Sequence, residues 1–346
     1  MPASIKGTLL LDENHLSLKK AANIINRGGL VAFPTETVYG LGAAATDPEA
    51  VNRIYEAKGR PADNPLIVHV SDPAQLKTVA RDIPKKAFKL TDRFWPGPLS
   101  LVLPRAKGIP ALVSAGLPSV AVRMPDHRTA LELIRLSGVP IAAPSANRSG
   151  KTSPTTYRHV LEDLTGRIEA VIKSAPCSVG VESTVLDLTG KAPLILRPGG
   201  VSREELEETL GCRVAVAGLK SHPGKPLSPG MKYRHYSPRA ALILVAGPPE
   251  KRSALVKAFA YRYRSFGFKV GYLNPSIRGN LKQKDDPERL AATLYESMRR
   301  MDQQGIDIIL AEEIEITGIG LAVMNRLKKA ATRTLRVGSG KLQRKS

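Results

Sequence analysis

The chain of 346 residues carries 52 Lys and Arg against 31 Asp and Glu, a net charge of +21, with 42% hydrophobic and 24% charged residues. That is enough chain for two cores; no apolar run reaches the roughly 18 residues of a membrane-spanning helix, and no charged-then-apolar leader marks a signal peptide, so a cytoplasmic location is expected. The cationic excess points to polyanions such as nucleotides or RNA, with a solubilising surface as the lesser reading, while two isolated cysteines, Cys177 and Cys212, and six scattered histidines give no disulfide framework and no zinc spacing.

In chain order, Thr8–Leu11 reads as a strand and Leu16–Asn26 as a helix stopped by Gly28-Gly29. Leu30–Phe33 is a short apolar strand. The segment Pro34-Thr35-Glu36-Thr37-Val38-Tyr39-Gly40-Leu41-Gly42 follows, rich in hydroxyls and too rich in Pro and Gly for a helix. It is predicted as a loop directly after a strand, where open α/β sheets hold ligands. Asp47-Pro48 opens a helix with an N-cap and a first-turn Pro, and Gly59 ends it. Lys58 then lies in the last turn, where a cation also complements the helix dipole. The stretch Lys58-Gly59-Arg60-Pro61-Ala62-Asp63-Asn64-Pro65-Leu66 offers two fixed cations and a constrained Asn, a suitable cradle for an anion.

Leu66–Val70 is the next strand and contains His69, which suits either a structural or a ligand-facing role. Two short helices lead to Trp95-Pro96-Gly97-Pro98, a turn with Trp95 as a core anchor. Strand Leu99–Leu103 comes next, then Ser119–Met124, in which Arg123 sits among Val and Ala and must be paired by a carboxylate of the protein or of a ligand. Helix 127–136 and strand Pro140–Ala143 precede a second polar loop, Pro144-Ser145-Ala146-Asn147-Arg148-Ser149-Gly150. Ser153 either caps helix 154–164 or binds. Strand Ala170–Ser174 leads to a third loop, Val179-Gly180-Val181-Glu182-Ser183-Thr184, followed by strands 184–188 and 193–197 and the turn Arg197-Pro198-Gly199-Gly200. Ser202 and Glu205 form a capping box for helix 203–210.

The composition changes after residue 211. Residues 212–239 read as a linker, but Ser228-Pro229-Gly230-Met231-Lys232-Tyr233-Arg234-His235-Tyr236-Ser237-Pro238 is too aromatic for a passive tether. From residue 240 the pattern restarts as strand 240–246, helix 249–264, strand 268–273, helix 287–303, strand 306–311 and helix 319–331, three βα units with a parallel sheet. No Gly-rich phosphate fingerprint accompanies them. The last 26 residues hold eight basic and no acidic side chains, a tail that suits RNA contact or simple solvation.

Taken together, Phe33–Gly42, Lys58–Leu66, Ser119–Pro125, Pro144–Gly150, Val179–Thr184 and Arg197–Val201 resemble the successive motifs of the YrdC-like family, and the linker with the C-terminal unit resembles its longer, two-domain branch. The resemblance implies an α/β fold: a YrdC-like twisted mixed sheet with a large concave basic surface over residues 1–211, a lid over the active site at 212–239, and a small Rossmann-like three-layer α/β domain over 240–346. It implies a threonylcarbamoyl-AMP synthase, a nucleotidyltransferase that turns ATP, L-threonine and bicarbonate into threonylcarbamoyl-AMP and pyrophosphate, the first step towards threonylcarbamoyladenosine in tRNA. It places Lys58, Arg60, Ser145 and Asn147 around the phosphates. Arg60, Asn64, Ser119, Ser145, Ser153 and Arg197 would line the ATP site, with Tyr236, and less directly Tyr233 and His235, approaching from the lid. Thr37, His69, Arg123, Ser183 and the backbone at Ala143 would hold threonine. Mg²⁺ is expected with ATP and without an assigned protein ligand. Contact with the enzyme that transfers threonylcarbamoyl to tRNA, and with RNA itself, are further expectations. The competing reading is an RNA-binding or ribosome-associated protein with a vestigial nucleotide pocket.

Overall fold

The computed structural model describes residues 4–218, 236–273, 286–337 and 342–345. The chain divides into two compact units, Met1–Ser149 with Ser153–Tyr233, and Gly150–Thr152 with Arg234–Ser346.

The first unit runs β1 (Ser4–Ile5), β2 (Thr8–Leu11), α1 (His15–Asn26), β3 (Val31–Phe33), β4 (Gly40–Ala44), α2 (Pro48–Lys58), β5 (Ile67–His69), α3 (Leu76–Val79), α4 (Lys85–Phe94), β6 (Leu99–Pro104), β7 (Ser119–Arg123), α5 (Arg128–Ser137), β8 (Ile141–Ala142), α6 (Tyr157–Leu164), β9 (Ala170–Ile172), β10 (Thr184–Asp187), β11 (Leu194–Arg197), α7 (Arg203–Leu210) and β12 (Ala215–Val216). Among the described residues its strands form one twelve-stranded mixed sheet in the order β1-β2-β9-β3-β4-β8-β5-β7-β6-β10-β11-β12. Strand β9 lies parallel to both β2 and β3, β10 parallel to β6, and β5 parallel to β7, whereas β4, β8 and β5 run antiparallel to their neighbours in turn.

Because strand side chains alternate between faces, neighbouring residues of β3 enter different cores. Val31 and Phe33 pack with Leu18, Ala21 and Ile25 of α1 and with Leu133 and Ile134 of α5. Ala32 joins the larger core on the other face, with Val51 and Ile54 of α2, Leu90 of α4, Val160 of α6 and Leu206 of α7. Ile67, Val102, Ala121, Val185 and Leu196, from five adjacent strands, make a small separate apolar floor to which no helix among the described residues contributes. His69 and Arg123 stand two residues beyond Ile67 and Ala121, so the alternation puts them on that same face.

The capping expected for α2 and α7 is present. Asp47 accepts from the N–H groups of Glu49 and Ala50, Gly59 adopts φ 60° at the C-cap, and Ser202 and Glu205 form a reciprocal capping box. Trp95 is buried and its indole N–H donates to the Leu99 carbonyl at 2.8 Å.

Two expectations change. Gly40-Leu41-Gly42, expected as the end of a loop, opens strand β4, which pairs with β3 and β8. Its glycines suit crowding there, since a Cβ on Gly42 would meet Ile141 and Phe33 at 2.8 Å. The helix expected from residue 154 starts at Tyr157 with Thr156 as its cap, so Ser153 is not a cap.

The second unit contains β13 (Ala241–Ala246), α8 (Pro249–Ser265), β14 (Val270–Tyr272), α9 (Pro287–Gln303), β15 (Ile308–Glu312), α10 (Gly320–Ala330), β16 (Arg333–Val337) and β17 (Leu342–Lys345). Its sheet order is β14-β15-β13-β16-β17, parallel except for the antiparallel β16–β17 pair. Ile243 and Val245 pack with Val256 and Ala260 of α8. Leu242 and Leu244 point the other way and are equally buried, so both faces of the sheet are covered, as in three-layer α/β units. The last two strands were not foreseen: three βα units account for the sheet only as far as α10.

No helix among the described residues is long and apolar enough to cross a membrane.

Candidate active site

The end of α2 is tied to the loop after β8. Lys58 is buried, and its ammonium donates to the carbonyl oxygens of Ser145 and Asn147, both at 2.5 Å. In return, Ser149 N–H donates to the Lys58 carbonyl at 2.9 Å. Burial pulls the Lys58 pKa well below the ordinary lysine value; Arg60 pushes the same way and Asp163 opposes. Within the loop, the Ser145 hydroxyl donates to Asn147 Oδ1 at 2.6 Å, and the Asn147 amide donates to the Arg148 carbonyl at 2.8 Å. Gly40 bridges Ser145 directly, so β4 supports the loop from beneath. Lys58, Ser145 and Asn147 are thus one hydrogen-bonded cluster, and Lys58 grips backbone where the sequence suggested a cation facing phosphate.

Arg60 is only partly buried. Its Nε donates to the Asn64 carbonyl at 3.1 Å and a terminal nitrogen to the Pro65 carbonyl at 2.9 Å. The Asn64 side chain is fully buried, yet neither amide atom has a protein partner. A buried amide without a partner is rare enough to point towards an absent ligand or water.

On the face that carries Ile67 and Ala121, β5 and β7 pair His69 with Arg123. Arg123 is buried; its Nε donates to the Gly97 carbonyl at 3.1 Å, one terminal nitrogen donates to Thr37 Oγ1 at 2.9 Å, and the other lies 2.5 Å from Glu36 Oε1. Thr35 donates to the Val38 carbonyl at 2.6 Å and shares a 2.9 Å contact with Thr37 Oγ1. The carboxylate that a buried Arg123 requires is therefore present in the protein as Glu36, a pairing that sequence reasoning missed. A glutamate in a polar loop 87 positions earlier carries no local mark of its partner.

His69 Nδ1 has no protein partner, and its ring meets Phe33 edge-on at 6.0 Å. Burial, reinforced by the Arg123 guanidinium, lowers its pKa to about 3, against 6.5 ordinarily. His69 is thus neutral at working pH and offers a ligand a hydrogen bond rather than a charge. This also couples stability to pH. The unfolded chain protonates at 6.5 and the folded chain does not, so stability falls as pH drops below 6.5 and continues to fall towards 3, by about 1.4 kcal/mol per unit. Between pH 7 and pH 5 the wild type should lose about 2 kcal/mol that a His69→Gln variant does not lose. Urea unfolding of both proteins at the two pH values checks this; parallel losses would mean that His69 is free to protonate in the fold.

The third loop is packed by the turn after β11. A Cβ on Gly199 would lie 2.2 Å from the backbone of Ser183 and Thr184, so only glycine permits this approach. Arg197 is thereby seated on Ser183, donating to its carbonyl from Nε at 3.1 Å and to its hydroxyl from a terminal nitrogen at 3.1 Å. Ser183 also shares a 2.8 Å contact with Ser100. Ser153 donates to Glu182 at 2.5 Å, so it belongs to this loop as a bonded neighbour. Ala143 N–H donates to the Ile67 carbonyl at 2.8 Å, which places its backbone beside β5. Ser119 opens β7, four residues before Arg123 and on its face.

The first unit therefore joins most of the sequence-predicted residues in four groups, Lys58 with Ser145 and Asn147, Arg60 with Asn64, Thr37 with Arg123 beside His69, and Ser183 with Arg197, and leaves Ser119, Ser153 and Ala143 outside them. Tyr236 belongs to the second unit. There its ring stacks on Tyr295 at 5.6 Å, with the Arg326 guanidinium 5.4 Å from its centroid. Tyr233 and His235 lie outside the described residues.

Comparison with known proteins adds the family. A model of the Sua5, YciO and YrdC proteins, described as telomere recombination, matches residues 23–199. The model of the threonylcarbamoyl-AMP synthase C-terminal domain matches residues 201–332. The chain is 50% identical to a threonylcarbamoyl-AMP synthase of Pyrococcus abyssi over 320 residues, covering 91% of this chain and 94% of the relative. It is 47% identical to that of Bacillus subtilis over 331 residues, covering 93% and 94%. The crystal structure of P. abyssi Sua5 complexed with L-threonine superposes with a TM-score of 0.91 at 47% identity, covering 96% of this chain and all of that one. On these matches the chain belongs to the Sua5/YciO/YrdC family, in the form that carries the Sua5 C-terminal domain.

Proposed function

We propose that the chain is a threonylcarbamoyl-AMP synthase, which consumes ATP, L-threonine and bicarbonate and releases pyrophosphate and water. The observation that carries the reading is the set of guanidinium, amide and hydroxyl groups from separate loops, Arg60, Asn64, Ser145, Asn147 and Arg197, in the same unit as the buried Arg123. Relatives spanning most of the chain carry the same name.

The threonine ammonium loses a proton to solvent and its nitrogen forms a bond to the bicarbonate carbon as a C–O bond breaks and water leaves, giving a carbamate. A carbamate oxygen then bonds to the α-phosphorus as the bond to the pyrophosphate oxygen breaks. The carbamate is already an anion, so this step needs alignment and charge neutralisation more than a strong base. Arg60 and Arg197 supply positive charge to the triphosphate, and Asn64 supplies an amide. The Ser145 hydroxyl and Asn147, held in place by the Lys58 ammonium, present dipoles. Ser119 and Ser153 complete the nucleotide side. Arg123 takes the threonine carboxylate, and Thr37, His69, Ser183 and the Ala143 backbone complete the amino-acid side. Tyr236 would help exclude water from a labile mixed anhydride.

Among the described residues no three His, Cys, Asp or Glu side chains gather as a metal site. Glu36 and Glu182 are engaged by Arg123 and Ser153. The donor set therefore does not form a cage of its own, and Mg²⁺ would arrive on the triphosphate oxygens with its waters, neutralising charge there. We place the reaction in the cytoplasm, upstream of the enzyme that carries threonylcarbamoyl to tRNA. RNA contact through the basic surface is part of the same proposal.

The purified chain should release pyrophosphate from ATP only when L-threonine and bicarbonate are both present. Release independent of either substrate, or none under any condition, would overturn the reading.

A further inference from the structure

Glu36 is left over by the mechanism above. Its carboxylate is 6% exposed, and a charge so deep is kept only where it is matched. Arg123 matches one oxygen, Oε1, at 2.5 Å. Neither oxygen accepts a hydrogen bond from the protein, so the Arg123 contact is an ion pair alone and Oε2 is the oxygen it leaves without a counter-charge. The nearby hydroxyls cannot serve it: Thr35 donates to Val38, and the Thr37 hydroxyl accepts from Arg123 and meets Thr35. Arg123 has no freedom to swing away, because Gly97 and Thr37 hold its other nitrogens.

The result is a fixed, buried plus-minus pair with an unfilled acceptor on its negative end. An α-amino acid is a plus-minus pair of complementary sense, its two charges separated by three bonds. Laid antiparallel across Arg123 and Glu36, it closes a ring of four alternating charges and leaves the site neutral whether empty or filled. A lone Arg123 would instead present a bare buried cation to any small anion, bicarbonate included, and specificity for an amino acid would depend on the side chain alone.

We infer that Glu36 is a specificity-determining residue that receives the α-ammonium of the amino-acid substrate on Oε2 while its Oε1 holds Arg123 for the substrate carboxylate. The inference rests on the threonine site proposed above. The hydrogen bond to a charged group on each side makes the preference for an amino acid over its deaminated counterpart large.

The test compares L-threonine with 2,3-dihydroxybutanoate of matching configuration, in which a hydroxyl replaces the amine. Isothermal titration of the full chain measures both, for the wild type and for Glu36→Gln. The wild type should prefer threonine strongly. Glu36→Gln should weaken threonine binding by about 10- to 100-fold while changing the deaminated ligand by less than about 3-fold, so the preference collapses. Should Glu36→Gln fail to fold, Glu36→Asp, which keeps the charge beside Arg123 but withdraws it by one methylene, should show the same split. Equal weakening of both ligands would assign Glu36 only to supporting Arg123 and overturn the inference, as would full retention of the preference. A wild type that binds neither ligand would instead overturn the proposed function, and the inference with it.

Discussion

Replacing Arg123 with alanine should destabilise the fold by about 3–5 kcal/mol and raise the threonine requirement for turnover by at least about 100-fold. Both effects have one cause. Removing the guanidinium leaves the Glu36 carboxylate buried with no counter-charge and frees the Gly97 carbonyl and the Thr37 hydroxyl of their donor. The substrate carboxylate loses its partner at the same time. The two consequences can be separated. Arg123→Met combined with Glu36→Leu removes both charges and fills the space with apolar atoms, an exchange that is often neutral for stability. That double variant should recover most of the unfolding free energy and none of the threonine affinity. Urea unfolding read beside threonine titration decides it; recovery of affinity with stability would remove Arg123 from the substrate site.

Lys58→Met should lower turnover by about 100-fold or more while leaving α2 intact. The side chain does not depend on its charge to pack, since methionine fills a similar volume. What is lost is the grip on two carbonyls, that of the buried Asn147 and that of the partly buried Ser145. Each abandoned acceptor costs about 1–3 kcal/mol, and the loop that presents Ser145 and Asn147 loses its register. If Lys58 serves mainly as a clamp, ATP binding weakens moderately and the rate of the chemical step falls more. If its ammonium serves the phosphates directly, ATP affinity falls most and the loop stays ordered. Single-turnover rates and nucleotide titration, read with hydrogen exchange across residues 144–149, distinguish the two outcomes.

Local patterns reported the ends of α2 and α7 faithfully. Asp47-Pro48 with Gly59, and Ser202 with Glu205, describe their own ends because capping is chemistry within one turn. Strand β4 was hidden because Gly40-Leu41-Gly42 reads as a breaker. The crowding against Phe33 and Ile141 that calls for small residues there lies in other strands. Ser153 was ambiguous for the same reason: its partner Glu182 is 29 positions away. Which side chains the site would need was readable from three polar loops that each follow a strand. How they engage one another was not, since Glu36 with Arg123 and Lys58 with the Ser145 carbonyl are tertiary contacts. In the second unit β16 was missed because Arg333–Val337 alternates polar and apolar within a basic tail that resembles a solvated end.

Strand β9, seated between β2 and β3, has a consequence for how the enzyme is born. At translation rates of about 5–20 residues per second, the ribosome releases β3 roughly seven to thirty seconds before it releases residues 170–172. For that interval the facing edges of β2 and β3 lack the strand that finally joins them, and exposed strand edges invite pairing with other chains. Arg197, the last of the loop residues to emerge, arrives later still. A nascent chain therefore passes through a period when it is open to chaperones and to aggregation but has no complete catalytic pocket, and slowing elongation across residues 34–170 should lengthen that vulnerable period.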